Sequence, residues 1–391
     1  MNSRLQCRQA KWVISFFVIA CIISYIYVLI NGDYNGDFIK KDVAISNLSL
    51  TLIFILTVLP FIYLYYIFRH FSKINYCQNI YNLNIMRYIA WTLLLLQIML
   101  RFSGYGTMGS ESTGISGSPI SILRALAYKL PAYPFAVIYI MGSKYNRGIA
   151  ITIGLLCLYS IINKSLGGFF TTSMILIYKY PSITLFLKKH FIITGIILLL
   201  CPPIVGIAYD FRSQLRDGPE IAEKSGSDLL FGKVCGRISS FSNNAYIFQN
   251  LPSLYVYKKE VPDEFYIMDM LHFFGIRPEF KSTGNFVEMQ VKHGKDERYS
   301  SMAGIGGVLF ISLIKSPWIA ILNLSVILGS VYLLFLIATK IKLRNACGVA
   351  LLLSVWFMAN GDSSEIAINI YSLLFAWFIL KLIAHKHVVK H

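Results

Sequence analysis

The chain is a series of apolar blocks separated by short polar connections, and this pattern constrains its fold more than any other feature. Each block is roughly 15–22 residues long, which is close to the length of helix that crosses the hydrocarbon core of a bilayer. A mean hydropathy of +0.60 excludes an ordinary soluble globular domain. We therefore predict an all-α polytopic integral membrane protein with about ten transmembrane helices.

Lysine and arginine are concentrated in alternate connections between the blocks. One set of connections contains 17 of the 36 basic residues and no acidic residue, so the other 19 basic residues balance all 19 acidic residues. This set comprises residues 1–11, 69–87, 142–148, 179–190, 339–345 and 381–391. An excess of Lys and Arg in short loops marks the cytoplasmic side. We expect both termini in the cytoplasm, and anionic lipid headgroups rather than nucleic acid as partners of the +17 net charge.

The predicted layout has three parts. Residues 1–208 contain crossings one to seven, residues 209–302 form one large segment outside the cytoplasm, and residues 303–391 contain a re-entrant helix and crossings eight to ten. The run 303–314 is too short for a comfortable crossing, and Pro317 interrupts the apolar pattern after it, which favours a short interfacial or re-entrant helix. The alternative, in which both pieces cross, reverses the side of the basic residues that follow.

No sequence pattern predicts a cofactor or a metal. The seven cysteines lack the spacing of a disulfide framework or of a zinc site. Dinucleotide, Walker A, HExxH and GxSxG motifs do not occur either. We therefore expect chemistry that needs no cofactor and no metal.

The long polar segment, residues 209–302, is the expected functional region, because long loops on a rigid scaffold are usually functional. Arg212 and Arg216 are four residues apart and would share one face of a helix. Two guanidinium groups so placed suit a pyrophosphate, since each offers a planar fork to phosphate oxygens. The alternative is a solvated ion cluster with Asp210, Asp217 and Glu220.

Two further cations occupy unusual positions outside that segment. Arg124 lies within the predicted fourth crossing, where a charge costs ~2.5–3.5 kcal/mol at the bilayer centre, so it is expected to face a polar cavity or a ligand unless it snorkels to the surface. Lys164 precedes Gly167 and Gly168 at the start of a helix. That arrangement predicts either an anion site or a simple tight turn.

The remaining candidates are three cations and three proton acceptors of the long segment. They are Arg237, Arg277 and Arg298 for substrate binding, and Glu264, His272 and His293 for catalysis. A histidine or carboxylate at the membrane surface can act as a general base, although such residues are also commonly solvated or structural. Residues 262–275 have the pattern of a capped helix that packs on the membrane surface or roofs a cavity.

The layout and three short segments resemble the O-antigen and capsule repeat-unit polymerases of the Wzy type. The segments are Tyr-Asp-Phe-Arg-Ser-Gln at 209–214, Gly-Arg-Ile-Ser-Ser at 236–240 and Asn-Lys-Ser-Leu-Gly-Gly at 163–168. The resemblance implies a GT-C-like membrane glycosyltransferase of the bacterial inner membrane with its active site facing the periplasm. It also implies an undecaprenyl pyrophosphate-linked glycan as substrate and a chain-length regulator protein as a partner.

In the reaction that this resemblance implies, a growing glycan leaves its lipid diphosphate and joins a hydroxyl of a new lipid-linked repeat unit. Cations such as Arg124, Arg212 and Arg237 would neutralise the departing diphosphate, and one of the candidate bases would take the acceptor proton. Two alternatives share the layout. One is a ligase that transfers glycan onto lipid A core, and the other is a transporter of lipid-linked glycan, which should contain broken helices that meet near mid-membrane.

Overall fold

A computed structural model describes residues 3–74, 83–102, 131–163, 165–215, 227–272, 283–292 and 301–387. These ranges contain helices and turns but no β-strand, and their one isolated bridge joins Asp33 and Asp42. The prediction of an all-α chain is confirmed for this part of the protein.

The described ranges contain fourteen α-helices of eight or more residues. They are α1 Ser3–Asn31, α2 Asn47–Lys73, α3 Asn84–Phe102, α4 Ala132–Gly142, α5 Arg147–Ile162, α6 Leu166–Lys179, α7 Pro181–Lys189, α8 Phe191–Leu215, α9 Phe241–Gln249, α10 Phe265–His272, α11 Gly304–Lys315, α12 Pro317–Lys340, α13 Ala346–Asn360 and α14 Ser363–His387. The other helical pieces are the eight-residue π-helix Asp228–Cys235 and the shorter Gly36–Phe38, Gly236–Ser239, Leu251–Leu254, Tyr255–Lys259, Thr283–Phe286 and Val287–Val291.

Five of these helices, α1, α2, α3, α12 and α14, are long and apolar enough to cross a membrane, and a sixth span results if α7 and α8, bent by 97°, are counted together. Their outward faces are apolar and exposed, as Ile19 on α1, Leu52 on α2 and Met99 on α3 illustrate. Side chains of this kind on the outside of a bundle are suited to lipid. The molecule thus has the character of a helical membrane protein, while the count of ten crossings stays a prediction.

Two short helices, α4 and α13, lie inside the bundle. Ten of the eleven residues of α4 and fourteen of the fifteen of α13 are buried. A helix that is apolar on all sides is stable only when other elements surround it, and here α13 packs against α2, α4 and α12. At 1.5 Å per residue they are about 16 and 22 Å long, shorter than a hydrocarbon core of about 30 Å.

The basic connections meet at one end of the bundle, which we call the basic end. Gln6 Nε2 donates a hydrogen bond to Asn345 Oδ1 over 3.1 Å, and Asn345 Nδ2 donates to the carbonyl of Met141 over 3.2 Å. Lys179 Nζ donates to the carbonyl of Ser143 over 2.6 Å. Cys7 similarly contacts Ser72. Five of the six connections that the charge pattern groups together are therefore neighbours in space.

At the opposite end, the far end, connecting segments fold back into the bundle. Asn244 on α9 donates to Thr57 Oγ1 over 2.8 Å, and Thr57 lies about 15 Å along α2 from its first residue at 1.5 Å per residue. Cys21 Sγ contacts the carbonyl of Ser239 at a similar distance from the far end of α1. Backbone outside regular helices can lie so deep only where protein buries it or a polar cavity receives it.

Helix α11 begins at this depth and runs outward along α12. The two form an antiparallel pair in which Asn323 Nδ2 donates to Ser312 Oγ over 2.8 Å. The break that the sequence predicts is present, since α11 ends at Lys315 and α12 begins at Pro317. With twelve residues against twenty-four, α11 covers only half of α12.

The deep end of α11 is joined to the end of α13 by two glycines. Gly304 and Gly361 both have φ +71°, a left-handed conformation that glycine adopts without steric cost. A Cβ on Gly361 would lie 2.7 Å from the carbonyl carbon of Gly304 and 2.9 Å from Ile305 N. Any side chain at this position would therefore separate the two helices.

We predict that Gly361→Ala lowers the free energy of unfolding by about 1–3 kcal/mol, because a left-handed alanine is strained and its Cβ displaces backbone. Thermal unfolding in detergent measures the change. Gly329→Ala is the matched control, since Gly329 lies on an exposed face of α12 with nothing within 4 Å of its Cβ position. Equal unfolding midpoints for both variants would contradict the close contact.

Candidate functional site

A buried carboxylate holds the connection between α1 and α2 against the long segment. Asp37 Oδ1 accepts a hydrogen bond from Arg237 Nε at 2.5 Å, and Oδ2 accepts from Met302 N at 3.2 Å and from Asn243 Nδ2 at 3.3 Å. The side chain of Asp37 is 2% exposed, whereas that of Arg237 is 39% exposed. Burial alone would raise the pKa of Asp37, but the charge and hydrogen bonds of Arg237 and the Met302 amide outweigh it and lower the pKa.

The neighbouring residues fix this ion pair in place. Asn35 Oδ1 accepts hydrogen bonds from Ser24 Oγ at 2.7 Å and from Ser242 Oγ at 2.5 Å. The backbones of Gly36 and Gly236 touch, since a Cβ on Gly236 would lie 2.3 Å from Gly36 N. No residue larger than glycine at position 236 would permit this backbone contact. The guanidinium group of the next residue, Arg237, therefore lies beside it.

A polar cavity of about 230 Å³ adjoins this network. Its polar lining comes from four separate stretches of the chain: Asp269, Thr283, Ser301, and the group Asn360, Asp362 and Ser364. Met302 lines the cavity and donates its backbone N–H to Asp37, so one residue separates the cavity from the Asp37–Arg237 pair. We call the cavity and this pair together the far-end site.

Asp269 is the buried carboxylate of the cavity. Its Oδ2 accepts two hydrogen bonds from Thr283, one from N at 3.0 Å and one from Oγ1 at 2.7 Å. Burial raises the pKa of Asp269 to about 6, the Thr283 hydrogen bonds oppose the rise, and the charge of Asp362 adds to it. Asp269 is thus ionised at neutral pH but holds a proton much more readily than an exposed aspartate.

Helix α10, which contains Asp269, is bonded to the turn between α13 and α14. Tyr266 Oη donates to the carbonyl of Gly361 over 3.0 Å, and Ser363 Oγ donates to the carbonyl of Tyr266 over 2.8 Å. Burial raises the pKa of Tyr266 well above its usual value, so its hydroxyl stays a neutral donor. These two bonds hold the two sides of the cavity at a constant separation.

A second buried carboxylate, that of Glu288, contacts the cavity-lining residue Ser301, and both of its oxygens have partners. Glu288 accepts a hydrogen bond from Ser301 Oγ and forms an ion pair with Lys292 at 3.1 Å. The Ser301 amide donates to the carbonyl of Gly284 over 3.1 Å, which fixes the strip of chain leading to Met302. Glu288 therefore has a structural role in shaping the cavity.

Of the residues predicted from sequence, Arg237 is the one whose described side chain belongs to the far-end site. Glu264 is exposed in the turn before α10, where its carbonyl accepts from the amides of Ile267 and Met268. Arg212 lies on α8 and His272 ends α10, and the structure describes only their helical backbone. The other predicted residues lie outside the described ranges: Arg124, Lys164, Arg216, Arg277, Arg298 and His293. Convergence of the cations on one ligand stays a prediction.

Sequence reasoning did not single out Asp37 or Asp269. Asp269 had a local signal, because it is the sole charged residue in the run Phe-Tyr-Ile-Met-Asp-Met-Leu and shares a helix face with Phe265 and Tyr266, both buried. An acid on the core face of an apolar helix needs a partner or a function. Asp37 had no local signal, since Arg237 is 200 residues away in the chain.

Comparison with known proteins assigns the chain to no family. No family model, no curated protein and no solved structure matches the chain. Within the described ranges, no group of three or more His, Cys, Asp or Glu side chains is arranged to hold a metal ion. Function has therefore to be inferred from the geometry of the far-end site.

The unequal burial of the ion pair leads to a prediction about its two halves. Arg237→Gln leaves the buried Asp37 carboxylate without its cation and should cost about 1–3 kcal/mol, less than a fully buried pair because the guanidinium is partly exposed. Asp37→Asn leaves an arginine that water can solvate and should cost at most about 1 kcal/mol. The thermal unfolding midpoints of the two variants in detergent, each compared with that of the wild type, measure these costs.

The double variant Asp37→Asn/Arg237→Gln serves as the control for this pair. Its stability should exceed that of Arg237→Gln alone, because no unpaired buried charge remains. A double variant whose destabilisation equals the sum of the two single effects would show that the groups do not interact.

Proposed function

We propose that the chain is a membrane glycosyltransferase that polymerises lipid-linked oligosaccharide repeat units into an O-antigen or capsular polysaccharide. The observation that supports it best is the proximity of a polar cavity to the ion pair of Asp37 and Arg237 at the far end of the bundle: Met302 lines the cavity and bonds Asp37, which bonds Arg237. We place the far end in the periplasm of the bacterial inner membrane, because the opposite end gathers the basic connections. Both termini are then cytoplasmic.

The proposed reaction joins two lipid-linked glycans. A hydroxyl oxygen of the new repeat unit attacks the anomeric carbon of the growing glycan. The bond from that carbon to the lipid diphosphate breaks, and the diphosphate leaves with the bonding electrons. The acceptor proton passes to a base on the protein.

The chemistry of the far-end site suits these groups. A guanidinium is always charged and offers several N–H donors to phosphate oxygens, so Arg237 would stabilise the negative charge that develops on the leaving diphosphate. Hydroxyl, amide and carboxylate groups such as those of Ser364, Asn360 and Asp362 are the usual hydrogen-bond partners of sugar hydroxyls. Arg212, on α8, and the cations outside the described ranges would extend this anion site.

A transporter of lipid-linked glycan is the second candidate, and one observation favours it. Helices α4, α11 and α13 are short, α11 begins and α13 ends inside the bundle, and discontinuous helices of this kind bind substrate in many transporters. The far-end site then would be a substrate-binding station on a path across the membrane rather than a reaction centre.

The test uses the purified full chain in lipid vesicles supplied with undecaprenyl diphosphate-linked repeat units. We predict a ladder of longer glycans on a gel. Arg237→Lys should lower the initial rate at least tenfold, because an ammonium cannot reproduce the planar fork. Lys259→Gln, which removes an exposed cation of the same long segment, is the matched control and should leave the rate within twofold of wild type.

The same vesicles separate the two candidate functions. Substrate placed in the inner leaflet becomes accessible to an external glycosidase if the chain transports it. If the substrate moves across the membrane and the glycan does not lengthen, the chain is a transporter and the proposed polymerase function is rejected. Neither movement nor lengthening would reject both functions.

A further inference from the structure

The far-end site contains one carboxylate oxygen that is positioned to act on a ligand. Both hydrogen bonds from Thr283 end on Oδ2 of Asp269, and none from the described residues ends on Oδ1. Asp269 lines the cavity, although its side chain is otherwise buried. Thr283 thus fixes the orientation of the carboxylate through Oδ2 and leaves Oδ1 without a hydrogen bond from the described residues.

Two other acids of this region, Asp362 and Glu288, are less suited to accept the proton of a substrate hydroxyl. Asp362 Oδ1 accepts hydrogen bonds from Ser364 N at 2.9 Å and Ser364 Oγ at 2.7 Å, and the residue is exposed, so water competes with a substrate. Both oxygens of Glu288 contact Lys292 or Ser301. These contacts already occupy the two oxygens.

From this geometry we propose that Asp269 is the general base of the transfer reaction, an inference that rests on the proposed function. Asp269 Oδ1 takes the proton of the acceptor hydroxyl as that oxygen bonds to the anomeric carbon and the lipid diphosphate departs. The carboxyl group later returns the proton to water. Each bond that forms or breaks is thereby accounted for without any further reactant.

The surroundings of Asp269 match this role. The ionisable groups that interact with it from the described elements are Asp362, beside α14, and Tyr266, on its own helix, while Glu288 and Lys292 form an ion pair with each other. Its raised pKa brings its basicity closer to neutral pH, where general bases are most effective. We therefore expect the rate to rise with pH through about 6 and then to level off.

The raised pKa also has a consequence for stability. A carboxyl whose pKa is higher in the folded state stabilises the fold below its unfolded pKa, and this contribution is lost as the pH rises through about 6. Ionised Asp269 therefore destabilises the fold at neutral pH. Asp269→Asn keeps an acceptor oxygen for Thr283 and removes the charge, so its unfolding midpoint at pH 7.5 should equal or exceed that of wild type, with a smaller difference at pH 5.

The experiment measures glycan lengthening and thermal unfolding for the reconstituted full chain and two variants. Asp269→Asn should lower the rate at least a hundredfold, since general bases typically contribute factors of 10² to 10⁴. Asp263→Asn is the matched control, because Asp263 lies in the same segment but is 61% exposed and pairs with Lys315. Its rate should stay within twofold of wild type.

Each result decides a different question. If the wild type and Asp269→Asn lengthen the glycan at similar rates, Asp269 is not the general base, whereas the proposed polymerase function is retained. A rate loss in Asp269→Asn accompanied by a lower unfolding midpoint at pH 7.5 would overturn it in favour of a structural role. No lengthening by wild type would overturn both proposals.

Discussion

The carboxylate of Asp37 is the interaction on which the far-end site depends. It joins three segments that are far apart in the chain: the α1–α2 connection, the short helical piece Gly236–Ser239 that contains Arg237, and Met302 before α11. A buried charge is tolerated only when cations and N–H donors surround it, so each of these segments must be present and correctly placed. The same requirement holds Arg237 against Asp37, which Met302 separates from the cavity.

Backbone hydrogen bonding explains why the site is recessed. An apolar environment accepts helices but not open backbone, so segments that leave the helical state must be enclosed by protein. Here Asn244 donates a hydrogen bond to the Thr57 hydroxyl and accepts one from the backbone amide of Gly307 at the start of α11. The short helices α11 and α13 meet here, where Gly304 contacts Gly361. The cavity occupies the space beyond these two helix ends.

Stability and the proposed function oppose each other in the cavity. Asp269 is buried beside a second acid, an arrangement that destabilises the ionised form, whereas a hydrophobic residue or an amide would be more stable there. Strained or unfavourable groups tend to be concentrated at functional sites. This contrast distinguishes Asp269 from Glu288, whose ion pair and hydrogen bond offset its burial.

The sequence alone determined the helical class, the gathering of basic connections, the break at Pro317 and the helix around Asp269, because hydropathy, charge and proline act over short stretches of chain. It also indicated Arg237 as a site residue. Only the tertiary structure decided that Arg237 faces Asp37 and that Asp269 lines a cavity with the α13–α14 turn. Those pairings join residues about a hundred or more positions apart, and no local pattern specifies which distant acid a cation meets or how deep a short helix ends.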